Sequence, residues 1–312
     1  MLKQRLFECI SSHVDGIGYV PIDLQKIFDF GAAPSKDAHG SEASNTNSND
    51  EKERLASHIN QHYDHTFFSE GLTSLLVDGS DYRNIGYWDE TTTTQHEASE
   101  RLQDALLDFI PEKSGRILDA ACGMGASTRH LLEYYPADNI WAINISEKQI
   151  EATRRNVPGC HAQVMNAVDL SFEEGFFDNI LCIEAAFHFE TRQKFLEEAR
   201  RILRPGGRLV LSDVLFSSSE RLEQYPIFPS AINHLNDTEE YRRLLKDTGF
   251  SQVEIEDVSD EVWGAHFIYA VKRVHEAFYK GELDIVQLTE MLWSYYQLNS
   301  ITKHCLFICA QK

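Results

Sequence analysis

Between residues 116 and 214 five short runs of branched and apolar residues recur: RILDA (116–120), NIWAINI (139–145), HAQVM (161–165), DNILCIE (178–184) and GRLVLSDV (207–214). Helix-like patterns separate the first three and join the fourth to the fifth. SEKQIEATRRN opens with Ser146 and Gln149 at capping-box spacing, and TRQKFLEEARRIL starts at a Thr191 N-cap and stops at Pro205-Gly206-Gly207. Alternation of this kind predicts an α/β fold, a parallel sheet with helices on both faces. The tail is organised differently. NDTEEYRRLLKDTGF reads as a helix ending at Gly249, SQVEIEDV as a strand, residues 261–280 and 283–299 as aromatic-rich helices, and HCLFICAQK as a closing strand. Two strands joined by a helical excursion predict an antiparallel pair at one sheet edge, with the excursion lying over the site.

Upstream, residues 1–30 carry Leu2, Leu6, Phe7 and Ile10 at roughly helical spacing. Residues 31–50 hold almost no large apolar side chains, so burial there cannot offset the entropy of ordering, and a flexible linker is expected. The functional domain is therefore expected over 51–312. Its parts are an N-terminal lid at 51–110, a core at 111–217, and lid helices with the closing strand pair at 218–312.

Charge narrows the function. With 29 basic and 49 acidic residues the net charge is −20, which repels phosphate backbones; the densest basic cluster, Arg200, Arg201, Arg204 and Arg208, is too small to track a duplex. Nucleic acid is not an expected partner, and neither is a membrane, since no apolar run approaches the roughly 18 residues of a span. The six cysteines are scattered without a CxxC pair and read as buried thiols of a reduced, cytoplasmic protein.

The most informative stretch is RILDAACGMGASTRHLL, where a strand ends at Asp119, a tight turn holds Gly123 and Gly125, and a helix follows at once. Glycines there admit close approach of a ligand, and the helix start offers free N–H groups. The spacing is neither GxGxxG nor a P-loop. About twenty residues on, where an acid usually holds ribose hydroxyls, the chain has Asn144, with Gln149 near enough to assist.

Asp119-Ala120-Ala121-Cys122-Gly123-Met124-Gly125, followed in order by INISEKQI, NAVDLSF, FFDNILCIEAAFHF and RRILRPGGRLVLSDV, resembles the class I S-adenosylmethionine-dependent methyltransferases. The resemblance runs from about 60 to 217. It implies a Rossmann-like seven-stranded sheet, mostly parallel with the last strand antiparallel, under helical lid elements. It also implies S-adenosyl-L-methionine as cofactor and S-adenosyl-L-homocysteine as product. By the same resemblance the cofactor contacts would be Tyr63, Tyr87, Asp119, Ala121, Gly123, Gly125, Asn144, Ile145, Gln149, Asn166 and Ala167. Three positions depart from the family pattern: Ala121 stands for the loop's first glycine, Asn144 for the ribose acid, and Asn166 for the adenine-binding Asp.

Methyl transfer from a sulfonium is an in-line displacement, so a hydroxyl nucleophile needs positioning and a base. CIEAAFHF supplies His188 as the expected base and Glu184 to orient its ring. The Asn/Asp-Pro-Pro-aromatic motif of nucleic-acid amine methyltransferases is missing there. His58, His62 and His65 have helical spacing but no carboxylate pair, so no metal is expected. Trp263 and His266, near one helix start, are expected to line a pocket for a bulky apolar substrate. NIGYW with the Glu184/His188 pair resembles polyketide-tailoring O-methyltransferases, including domains of modular synthases. The implied substrate is a hydroxyl-bearing small molecule or a hydroxyacyl chain on an acyl carrier protein. N- or C-methylation of a small metabolite or sterol, and a catalytically silent cofactor-binding protein, are the alternatives.

Overall fold

The computed structural model describes residues 57, 75–77, 79–217 and 231–312. The helix and linker expected over 1–50, together with His58, His62, Tyr63 and His65, lie outside them. Among the described residues there are seven strands and seven α-helices in one sheet-based layer structure. The order is α1 (Gln95–Asp108), β1 (Ile117–Ala120), α2 (Ala126–His130), β2 (Ile140–Asn144), α3 (Glu147–Asn156), β3 (His161–Val164), β4 (Phe177–Ile183), α4 (Arg192–Ile202), β5 (Leu203–Phe216), α5 (Thr238–Thr248), β6 (Val253–Asp257), α6 (Ala265–Tyr279), α7 (Ile285–Ile301) and β7 (Thr302–Gln311).

The sheet runs β3-β2-β1-β4-β5-β7-β6, with β1 to β5 parallel and β7 antiparallel to both its neighbours. This is the expected doubly wound sheet with an antiparallel closing pair. Side chains alternate across it. Leu118, Ala120, Ile180, Leu209, Leu211 and Ile308 pack with Phe195, Leu196 and Ala199 of α4 and Tyr241 and Leu245 of α5. Ile117, Leu181, Val210 and Phe307 pack on the other face with Leu102, Leu106 and Leu107 of α1. Both faces being apolar is what makes these strands near-continuous hydrophobic runs.

Two local expectations need correction. Ser146 caps α3 by accepting the Gln149 N–H, but the reciprocal place of a capping box belongs to Asn144, whose Oδ1 accepts the Ser146 N–H at 2.9 Å. The α4 helix starts at its Thr191 cap yet ends at Ile202, ahead of Pro205. β5 already begins at Leu203, opposite Phe177, and the next pair is Asn179 with Arg208, so Arg204–Gly207 form a bulge. Gly207 is required in it, since a Cβ there would lie 2.8 Å from the Asp178 carbonyl oxygen.

Candidate active site

The carboxyl ends of β1, β2, β3 and β4 open into one cavity of about 170 Å³. That edge is where parallel α/β sheets place ligands, because each strand there hands over to a loop that cannot cover it. Ala121 and Gly123 after β1, Asn144, Ile145 and Gln149 after β2, and Met165, Asn166 and Ala167 after β3 form one wall. Glu184, His188, Phe189 and Glu190 after β4 form another, and Asp81–Asn84 complete the enclosure.

The loop after β1 gets its shape from left-handed backbone at Ala121 (φ 67), Gly123 (φ 57) and Gly125 (φ 88). A small side chain thus carries the conformation at Ala121, where the family has glycine. Gly125 does not line the cavity; a Cβ there would lie 3.1 Å from the Thr153 Cα, so glycine lets α2 pack on α3. Asp119 also sits behind the wall, buried, its Oδ2 accepting from the Ser127 and Thr128 hydroxyls at 2.7 Å each. It locks the end of β1 to the start of α2, and burial pushes its carboxyl up to about 6.

Asn144 is engaged on both sides, since its Nδ2 donates to Gln149 Oε1 at 3.1 Å while Oδ1 holds the Ser146 N–H. The amide fills both roles, donating through Nδ2 and accepting through Oδ1. Asn166 is exposed and turns the chain after β3, with Oδ1 accepting the Val168 N–H. Ala167 is buried beside it.

On the opposite wall Glu184 breaks from β4 with φ 47, an unusual value for a non-glycine residue, and its N–H is shared between the Ser212 carbonyl and hydroxyl oxygens. Its Oε2 accepts the Ile85 N–H at 3.0 Å, and its buried Oε1 has no hydrogen-bond partner. Burial drives this carboxyl up to about 8, so it is neutral at pH 7. The expected pairing with the His188 ring is not made: Glu184 holds the 81–88 segment instead. His188 is buried on a turn, Ala186–His188, with its N–H on the Ala185 carbonyl.

Three other expected site residues lie outside the cavity lining. Tyr87 packs its ring against Phe307, 5.7 Å between centroids, and its N–H bonds to the Ala98 carbonyl. Trp263 donates to Asn299, and His266 is buried between Gln95 and Tyr295, which pushes its imidazole down to about 4. These belong to an aromatic cluster with Trp88, Phe267 and Tyr295 outside the lining of that cavity. Sequence reasoning took Tyr87 as the contact from the NIGYW segment, whereas that segment's Asn84 and the preceding Tyr82 and Arg83 are what face the cavity. Gly86 at φ 78, whose Cβ would lie 2.8 Å from the Ala98 backbone, is the turn that parts the two groups.

The wall fits S-adenosylmethionine. It offers small residues and left-handed backbone after β1, a polar amide pair after β2, and apolar Ile145, Met165 and Ala167 beside Asn166 for a flat ring. Two polar atoms at the cavity, Asn84 Oδ1 and Glu184 Oε1, are buried without partners, a cost of about 1–3 kcal/mol each that a ligand's polar groups remove.

Comparison with known proteins agrees. Residues 118–211 match the family described as methyltransferase domain. The chain is 30% identical over 220 residues to the O-methyltransferase cnsE of Penicillium expansum, covering 65% of this chain and 76% of that protein. It is 32% identical over 193 residues to the 27-O-demethylrifamycin SV methyltransferase of Amycolatopsis mediterranei, covering 56% and 68%. The fold is shared with the geranyl diphosphate C-methyltransferase of Streptomyces coelicolor, solved with S-adenosyl-L-homocysteine, at a TM-score of 0.60 and 16% identity over 82% of this chain and 98% of that one. Among the described residues no helix is long and apolar enough to cross a membrane. The chain belongs to the class I S-adenosylmethionine-dependent methyltransferases, among those of natural-product pathways, and is an enzyme that uses S-adenosylmethionine.

Proposed function

We propose that this enzyme methylates a hydroxyl of a polyketide or related natural product, with His188 as the base that takes the hydroxyl proton. The observation that carries the reading is that buried His188 shares one cavity with the loop after β1 and the amide pair after β2. When bound, S-adenosylmethionine supplies an electrophilic methyl group on a sulfonium. The Ala121–Gly123 backbone, Asn144 with Gln149, and Asn166 with Ala167 would hold it. Imidazole is the side chain best matched to proton transfer near neutral pH, and it becomes a cation as the oxygen loses its proton. Glu184, neutral at pH 7, tethers the 81–88 segment over the cavity through Ile85 and keeps bulk water from the reacting groups. The names of the relatives support oxygen as the nucleophile. Five described cysteines without disulfides support a cytoplasmic location.

The acyl chain is either free or borne on an acyl carrier protein. At −20 the enzyme meets an acidic carrier against net repulsion, which tethering in one assembly overcomes by effective concentration. Labelled S-adenosylmethionine, offered with a 3-hydroxyacyl chain as a simple thioester and on its carrier, tests this. Transfer to both indicates recognition of the acyl chain itself, and transfer to the carrier-bound form alone indicates an assembly line. Transfer to neither, with S-adenosylhomocysteine still binding, removes the polyketide reading.

A further inference from the structure

We propose that Asn233 is a positioning residue for His188, holding the turn that presents the imidazole to the cavity; the inference rests on the reading of His188 as the base. A three-residue turn such as Ala186–His188 is weakly self-supporting, and its carbonyls have no helix to bond to. Its own bonds are short-range, the His188 N–H to Ala185 and the Phe189 N–H to Ala186. Asn233, 4% exposed and distant in sequence, adds long-range bonds to it. Its Nδ2 lies 3.2 Å from the Ala186 carbonyl oxygen, 3.3 Å from that of Phe187 and 3.1 Å from that of Phe189. Two N–H groups are thus shared among three acceptors that bracket His188. The opposite amide orientation would set an oxygen against three carbonyl oxygens.

The far side of Asn233 is fixed as firmly. Its Oδ1 accepts the Arg192 N–H at 2.6 Å, and its backbone carbonyl accepts from Arg192 Nη1. Arg192 is anchored in turn by a buried pair with Asp213, 2.6 Å from Nε to Oδ2, and by the Val214 carbonyl; the Tyr241 hydroxyl donates to the same Asp213 oxygen at 2.8 Å. The turn carrying His188 is therefore braced, through one side chain, against the ends of α4 and β5.

Asn233→Asp tests the brace, because it keeps shape and the Oδ1 acceptor but removes both donors. In the assay with the simple 3-hydroxyacyl thioester, kcat should fall about tenfold to hundredfold, the scale of a misplaced catalytic group, with the affinity for S-adenosylhomocysteine unchanged within about twofold. In a His188→Ala background the same substitution should leave the residual rate unchanged, since a residue that acts through His188 has nothing left to position. A further loss there of the single-variant size, or wild-type turnover in Asn233→Asp beside a crippled His188→Ala, overturns this inference alone. Full turnover in His188→Ala overturns the base reading and this one with it. If Asn233→Asp fails to bind S-adenosylhomocysteine, Asn233→Ser, which keeps one donor, enters the same cycle with a smaller expected loss. NMR titration supplies a readout without substrate. Asn233→Ser should displace the His188 ring signals while those of His96 and His161 stay in place, and an unmoved His188 signal sinks the proposal.

Discussion

The two walls of the cavity are held together in opposite ways. On the wall formed after β1, β2 and β3, hydrogen bonds join nearer residues: Asp119 to Ser127 and Thr128, eight and nine residues away, Asn144 to Ser146 and Gln149, two and five residues away, with Thr153 to the Gly123 carbonyl and Asn156 to that of Met124 reaching 30 and 32. On the wall formed after β4 the bonds span long stretches of chain. Glu184 meets Ile85 across 99 residues, and Asn233 meets Arg192 and Ala186 across 41 and 47. The locally bonded wall presents backbone and small side chains, and the other presents the His188 imidazole and the Glu184 carboxyl. Local bonds suit a cofactor shared by a whole family. A wall assembled from distant segments changes with any of them, which suits the part of the site that meets a particular substrate.

This contrast can be broken at several points. His188→Ala should show the largest effect, a fall in turnover of about a hundredfold to ten-thousandfold, the usual worth of a positioned general base. Equilibrium binding of S-adenosylhomocysteine should be unaffected, and near-normal turnover would remove the functional distinction between the walls. Next, Arg192→Met leaves Asp213 buried with its charge unpaired. Denaturant unfolding should show a loss of about 3–5 kcal/mol, and a loss under 1 kcal/mol would mean that the long-range wall is not braced by this pair.

Gly125→Ala strikes the local wall, imposing a left-handed residue and a methyl 3.1 Å from the Thr153 Cα. A loss of about 2 kcal/mol with weakened cofactor binding is expected from the same unfolding and binding measurements. The gentlest probe is pH. The folded-state pKa of Glu184, about 8, lies above its ordinary value of 4.5, so the folded state binds the extra proton between those limits. Its contribution is therefore complete below about 4.5 and is lost as pH rises through 8, with a slope of at most about 1.4 kcal/mol per pH unit. Thermal melts of the ligand-free protein from pH 6 to 8 should show this decline, and Glu184→Gln should flatten it. An equal slope in the variant would mean that Glu184 is not the group responsible.

Legibility in the sequence follows the same divide. Strand positions were readable because both sheet faces are apolar, and the Thr191 cap because it is a local exchange of one hydroxyl with one N–H. Ala121, Gly123, Asn144, Gln149 and Ala167 were findable from the strand–turn–helix pattern and its resemblance to a family, and all line the cavity. Tyr87 was placed by the family resemblance, and Trp263 and His266 by their position near one helix start. Their position was decided by packing against Phe307, Asn299 and Gln95, which no spacing encodes.

The sequence by itself determined the α/β sheet, the loop after β1 and the family, because those depend on periodicity and on residues within one or two turns of each other. Only the tertiary structure decided that Glu184 serves Ile85 and leaves the His188 ring alone, that Tyr82–Asn84 wall the cavity, and that Asn233 braces the turn bearing His188. Those are pairings between segments whose separation along the chain carries no signal, and they exist only once the sheet has brought the ends of β4 and β5 together.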